Sequence, residues 1–182
     1  SGSTVLPVIK GNAYGHGAIE IARTLIEAGA QRFAVASVAE AVELRQAGIA
    51  EELIILCGLQ PGEETIAVST NLVPMIQTTE QLVRWQEQAQ SNSKILAYHL
   101  EIDSGMTRLG FDTASIEALV SNIKAANKIR LLGIATHLAT AQDFSSTQTH
   151  QQIQSFRAVL NEFEATGISP EVIHIANSAA LA

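Results

Sequence analysis

The stretch Val8-Ile9-Lys10-Gly11-Asn12-Ala13-Tyr14-Gly15-His16-Gly17 decides how the rest of the chain is read. It opens as a β-branched apolar run and stops at a lysine followed by glycine. From Ala18 a helical spacing takes over, with Ile19, Ala22, Leu25 and Ile26 on one face and Gly29 as its stop. A lysine at the end of a buried strand is desolvated, which frees its amine as a nucleophile for carbonyl chemistry. The plain alternative is a lysine that snorkels to the surface from a strand terminus. Strand, reactive side chain and helix in succession form the unit from which parallel α/β sheets are built.

That unit recurs. Apolar runs at residues 5–9, 33–36, 53–57, 72–76, 95–102, 131–136 and 172–176 alternate with amphipathic spacings. Ser37-Val38-Ala39-Glu40 fits a capping box, continued by Ala41, Leu44 and Ala47 to a stop at Gly48. Pro61-Gly62-Glu63-Glu64 opens a short helix, and Thr79-Glu80-Gln81 opens the next, with Leu82 and Trp85 inward. Ile116, Leu119, Val120 and Ile123 mark a further helix; Ile153, Phe156, Val159, Leu160 and Phe163 mark the last and longest. Continuous apolar strands with helices between them predict a parallel sheet buried on both faces. Periodicity leaves two architectures open, a doubly wound sheet and a closed (β/α)8 barrel. No Gly-x-Gly-x-x-Gly turn follows the first run, which weakens a dinucleotide-binding sheet.

Composition narrows the function classes. The chain has 182 residues, 47% apolar and 16% charged, which describes a folded domain with a substantial core. A net charge of -7 without a basic run argues against nucleic acid. No apolar stretch approaches the roughly 20 residues of a membrane span, and no leader pattern is present, so the cytoplasm is expected. The single cysteine, Cys57, lies in an apolar run and is expected as a buried thiol. Ser1-Gly2-Ser3 reads as a tag remnant or cut end, leaving residues 4–182 as one truncated α/β domain. His, Cys, Asp and Glu show no close ligand spacing, so no metal site is expected.

Barrel sites are built at the C-terminal ends of strands. The fifth run carries Tyr98-His99-Leu100-Glu101-Ile102-Asp103-Ser104-Gly105-Met106-Thr107-Arg108-Leu109-Gly110, with His99, Glu101 and Asp103 on one strand face. Arg108, beyond a glycine-containing turn, can reach such carboxylates with bidentate geometry, and a plain ion-pair network is the alternative. The sixth run ends Ala135-Thr136-His137-Leu138-Ala139, and the seventh His174-Ile175-Ala176-Asn177-Ser178. His16 reads as a residue that orients its loop, and His150 as solvated surface.

The opening decapeptide resembles the lysine signature of the alanine racemase family, which runs Val-Val-Lys-Ala-Asn-Ala-Tyr-Gly-His-Gly; Gly11 stands where Ala or Ser is usual. The later strand ends resemble the family's Lys-x-Asp-Thr-Gly-Met-x-Arg-Leu-Gly, Thr-His-Phe-Ala and His-x-Ala-Asn-Ser segments in the same order. The resemblance selects the (β/α)8 TIM-type barrel. Such a barrel takes about 250 residues, so the chain is expected to be an incomplete one of about seven strands, lacking the eighth and a C-terminal β domain. It implies pyridoxal 5'-phosphate as cofactor and two-base racemisation of L- and D-alanine, which supplies D-alanine for peptidoglycan.

By the same resemblance Lys10 is the catalytic base that also binds the cofactor. Tyr14 and Ser178 contact its phosphate, and Asn177 also binds the cofactor. Arg108 donates to its phenolic oxygen, and His137 stacks on its ring. Glu101, Asp103 and His174 support these groups from behind, His174 through an arginine beyond the eighth strand. Many members carry a carbamylated lysine where Glu101 stands, so Glu101 is expected to supply that carboxylate directly. A homodimer is implied, whose partner contributes a tyrosine as the second base, and the isolated fragment is expected to be inactive. The rivals are a broad-specificity or serine racemase of the same family, a decarboxylase or dehydratase on the same barrel, and a non-catalytic protein of pyridoxal phosphate homeostasis.

Overall fold

The computed structural model describes residues 3–181, so Ser1 and Gly2 of the expected tag remnant lie outside the described residues. The chain divides into two compact units, residues 1–75 and 76–182. Both are parallel β/α arrays, and the fold is that of an incomplete (β/α)8 barrel.

The first unit is organised by β1 (Arg32–Val35), β2 (Glu52–Ile55) and β3 (Val73–Ile76, its last residue opening the second unit). Arg32 to Val35 pair in parallel with Glu52 to Ile55, and β2 pairs in parallel with β3. Phe33, Ala34, Val35, Leu53, Ile54 and Ile55 are all buried, as unalternating apolar strands require. A short turn, α1 (Lys10–Tyr14), and α2 (Ala18–Glu27) precede β1, and α3 (Val38–Gln46) and α4 (Glu64–Ser69) run between the strands. Ser37 and Glu40 form the expected capping box, and Val38, Ala41 and Leu44 are the buried face of α3. Arg45 ties the ends of α3 and α4 together: its guanidinium donates to the carbonyls of Ile49 (2.7 Å), Glu51 (2.8 Å), Thr70 (2.9 Å) and Asn71 (3.0 Å). Partial burial pulls its pKa below the ordinary arginine value, and the nearby Glu51 opposes that shift.

Two expectations fail here, and a third shifts. Residues 5–9 do not form a strand; Val8 makes a single bridge to Ala34, flanked by bonds from the Ala34 N–H to the Pro7 carbonyl and from the Ile9 N–H to the Ala34 carbonyl. Pro7 has no N–H to extend the ladder. Cys57 is exposed rather than buried. The apolar run overshoots the strand, which ends at Ile55, so the thiol falls on the turn that follows. Helix α4 begins at Glu64 rather than at Pro61; residues 60–62 form a turn in which the Gln60 and Gly62 N–H groups donate to the carboxylates of Glu63 and Glu64.

The second unit holds α5 (Thr79–Ser91), β4 (Leu96–Asp103), β5 (Phe111–Asp112), α6 (Ile116–Ala125), β6 (Ile129–Ala135), α7 (Gln148–Ala165), β7 (Val172–His174) and α8 (Ser178–Leu181). β4 pairs in parallel with β6, and β6 with β7; the short β5, unmarked by the sequence pattern, pairs with the end of β4. Thr78 caps α5, which turns Leu82 and Trp85 inward, and the Trp85 indole N–H donates to the Ala97 carbonyl at 3.2 Å. The register of β4 on β6 shifts between Tyr98 and His99, so Leu132 is passed over and Gly133 faces His99. A Cβ on Gly133 would lie 2.3 Å from His99 Nδ1. The glycine is there because the imidazole occupies its side-chain space. Among the described residues no helix is long and apolar enough to cross a membrane.

Candidate active site

In the first unit Lys10, two residues beyond the Val8 bridge to Ala34, leads into an unusual backbone. Lys10 is half-buried, and the residues after it form a left-handed turn, with φ/ψ of 60/42° at Gly11, 52/50° at Asn12 and 53/47° at Ala13, and φ of 55° at Tyr14. Left-handed backbone costs an L-residue roughly 1–2 kcal/mol, and three of these four residues carry a Cβ. Such strain persists only where surrounding bonds over-determine it. Here they do. The Gly15 N–H donates to the Gly11 and Asn12 carbonyls, and the Gly17 N–H to the Asn12 carbonyl. The Ala18 N–H, at the start of α2, donates to Asn12 Oδ1 at 2.7 Å. His16 Nδ1 donates to the Ala13 carbonyl at 2.9 Å, the loop-orienting role read from sequence. Glu40 Oε1 accepts from the Gly11 N–H at 2.7 Å. The turn buries Ala13 and throws the Tyr14 side chain outward, 64% exposed.

In the second unit the remaining expected residues gather at the C-terminal ends of β4, β6 and β7. Glu101 is half-buried, and Gln77 Nε2 donates to its Oε2 at 2.6 Å. Burial holds its pKa above the usual carboxylate range; the Gln77 bond and the Arg108 charge pull it back, and Asp103 pushes it up. Asp103 shapes the following loop, its Oδ1 accepting from the N–H groups of Gly105 (3.0 Å) and Thr107 (2.9 Å). Gly110 closes that loop against the strand: its φ is +111°, and a Cβ there would lie 2.8 Å from the Asp103 backbone nitrogen. The Arg108 side chain is thereby presented, exposed, within the electrostatic reach of Glu101. His174 Nε2 and His99 Nδ1 are 3.0 Å apart, so His174 is backed by a fully buried imidazole on β4. Asn177 Nδ2 donates to the Leu138 carbonyl at 3.2 Å, linking the loop after β7 to the loop that carries His137. Ser178 is exposed at the first residue of α8.

One organiser of this half was missed in the sequence. Gln152, on α7, is 1% exposed. Its Nε2 donates to the His137 carbonyl (2.9 Å) and to Ser104 Oγ (3.3 Å), and its Oε1 accepts from the Ala139 N–H (2.9 Å). Ser104 in turn bonds Thr136 Oγ1 at 2.7 Å, and Thr136 donates to the Ile102 carbonyl at 2.8 Å. The Arg108 loop and the His137 loop are therefore held through one buried amide. Its signal was available: Gln152 stands in line with Phe156, Val159 and Phe163 on the buried face of α7. Gln77 was likewise a polar residue at the end of an apolar run.

A parallel α/β array whose second unit carries carboxylates, an arginine and paired histidines at or just beyond the C-terminal ends of its strands is organised as a barrel enzyme domain. The family follows from comparison. Residues 1–182 match "Alanine racemase, N-terminal domain", and the chain belongs to that family. The alanine racemase of Carboxydothermus hydrogenoformans is 41% identical over 176 residues, which are 97% of this chain and 48% of that protein. That of Syntrophobacter fumaroxidans is 37% identical over 99% of this chain and 48% of that protein. The chain thus spans about half the length of the curated relatives it matches. The solved alanine racemase of Clostridium difficile 630 in complex with cycloserine superposes with a TM-score of 0.91 at 33% identity, covering 97% of this chain and 49% of that one. That of Bartonella henselae with covalently bound pyridoxal phosphate gives 0.88 at 28% identity, covering 98% and 51%.

Proposed function

We propose that the protein to which this chain belongs is an alanine racemase, interconverting L- and D-alanine with pyridoxal 5'-phosphate as cofactor and supplying D-alanine for peptidoglycan. The observation that carries the reading is Lys10, held half-buried at the head of a braced left-handed turn. The residue types of each unit suit the cofactor: a primary amine for its aldehyde and a phenol for its phosphate in the first, and a hydroxyl for its phosphate, a guanidinium for its phenolate and an imidazole for its ring in the second. When bound, the cofactor supplies the electron sink that makes a substrate Cα proton removable.

Lys10 would hold it covalently through Nζ, and the same nitrogen as a free amine would take or return the Cα proton on one face. The hydroxyls of Tyr14 and Ser178, with Asn177 beside the latter, would bind the phosphate. Arg108 would donate to the phenolic oxygen. The Glu101 carboxylate, fixed by Gln77, orients that guanidinium without the carbamylated lysine other members use. Asp103 sets the loop that carries it. His137 would cover one face of the ring and exclude water. His174, backed by His99, would support the groups around the ring nitrogen. The opposite proton transfer falls to a tyrosine from the partner subunit of a cytoplasmic homodimer.

The test uses the full-length protein. It should bind pyridoxal phosphate with a visible absorbance band, become labelled at Lys10 on borohydride reduction, and racemise L-alanine, followed by circular dichroism. Lys10→Ala should abolish the band, the label and the activity. Cofactor binding that survives Lys10→Ala unchanged would sink the assignment, and faster turnover of L-serine would redirect it to a serine racemase.

A further inference from the structure

Glu40 makes more bonds than its helix needs. A capping box asks only that the carboxylate accept from the N-cap backbone N–H, and that bond, from Ser37, is the longest of its three at 3.2 Å. The two shorter ones, each 2.7 Å, come from the Ala36 N–H after β1 and from the Gly11 N–H, 29 residues away in sequence. Gly11 follows Lys10 directly and is the first left-handed residue of the turn. It is exposed, so without Glu40 its N–H would be left to water at the point where the strained backbone begins. An ionised carboxylate only accepts and has two oxygens, so it can serve three N–H donors together. An amide would turn an NH2 toward some of them. Bonds of this length to a charged acceptor are also the stronger kind.

We propose that Glu40 is a positioning residue for Lys10. Its carboxylate ties the peptide plane after the lysine to the chain leaving β1, and so fixes the direction in which the Lys10 amine is presented. The proposal rests on the reading of Lys10 as the residue that carries the cofactor. Misplacement of a reacting group by about 1 Å can cost on the order of a hundredfold in rate, so loss of the tie should be visible at Lys10 itself.

The experiment uses the full-length protein stripped of cofactor, then given pyridoxal phosphate. Label fixed at Lys10 by borohydride is followed with time, alongside the melting temperature, KM and kcat. Glu40→Gln should slow labelling roughly tenfold or more and lower kcat more than it alters KM. Ser37→Ala, which weakens the same helix cap without touching Gly11, should label at the unaltered rate. Glu40→Gln labelling as fast as the unaltered protein would overturn the proposal, as would equal slowing by Ser37→Ala. Should Glu40→Gln fail to fold, amide hydrogen exchange of Gly11 in the unaltered protein decides. The proposal expects exchange far slower than that of an unstructured glycine, and an unprotected amide refutes it. An unaltered protein that takes no label at Lys10 would instead defeat the cofactor reading, while Gly11 exchange would still report on the tie.

Discussion

Gly133→Ala turns the packing of the histidine pair into a measurable quantity. The added Cβ would stand 2.3 Å from His99 Nδ1, 2.4 Å from Cε1 and 3.1 Å from Cγ. Ordinary contact begins near 3.4 Å, so the ring must retreat by about an ångström, the scale on which interiors resist overpacking. It has little room: His99 is fully buried, and Nδ1 is already engaged by His174 Nε2 at 3.0 Å. Overpacking of this kind costs about 1–3 kcal/mol. Stretching the imidazole bond beyond hydrogen-bonding distance forfeits about 0.5–1.5 kcal/mol more. The expected loss is therefore about 2–4 kcal/mol, a large share of the 5–15 kcal/mol that holds an ordinary domain together. Equilibrium unfolding in urea reads it directly: with a slope of about 2 kcal/mol/M, the midpoint should fall by about 1–2 M. A double-mutant cycle with His99→Ala assigns the cause, because removing the ring relieves the clash and the double variant should be less destabilised than the sum. A loss below about 0.5 kcal/mol, or strict additivity with His99→Ala, would refute the reasoning.

Gln152→Met keeps volume and removes the amide that joins the two loops. It should destabilise by about 2–4 kcal/mol, since the His137 carbonyl and Ala139 N–H lose a buried partner. Hydrogen exchange at Ala139 should accelerate by far more than exchange in the middle of β6. Uniform acceleration across both would place the effect in global stability alone. Glu101→Gln tests the buried carboxylate. Its folded pKa lies above the ordinary value. The protonated carboxyl therefore contributes stability that is complete below the usual carboxylate range and is lost as pH rises through the raised folded value. The variant lacks that loss, so its stability relative to the unaltered chain should climb as pH rises from the usual carboxylate range through the raised folded value. In the full-length protein the same change should weaken cofactor binding or activity if Glu101 orients Arg108 as proposed. A stability difference that is flat with pH defeats the first statement, and unchanged affinity and rate defeat the second.

What was legible in the sequence, and what was not, follows from how far each signal reaches along the chain. Unalternating apolar runs mark strands, so β1, β2, β3, β4, β6 and β7 fell where the runs lay, although β7 is not the strand buried on both faces that its run predicts: Ile173 is exposed. A run records burial, however, not hydrogen bonding, and it cannot say where the ladder stops. Pro7 ends the pairing of the first run, and Cys57 spills beyond β2 into solvent. The candidate site was legible through the resemblance: taken alone, Lys10 at the end of an apolar run reads as a lysine that snorkels to the surface and His137 as a hydrogen-bonded core histidine, and the matching segments around them set them apart. The residues that brace them did not stand out. Glu40 was explained locally by its capping box, and a sufficient local explanation hid the longer reach to Gly11. Gln152 was hidden by the choice of face: Ile153 and Leu160 made the apolar stripe look complete, although the buried line runs through Gln152, Phe156, Val159 and Phe163. The left-handed turn was illegible for a different reason. Ala13 and Tyr14 have no preference for that backbone, so no propensity announces it. It exists because Asn12, His16 and Glu40 each bond it from outside its own sequence preference. A strained turn kept by three side chains at the one lysine that ends an apolar run is the kind of local conflict that folding alone does not call for, and function is what would maintain it.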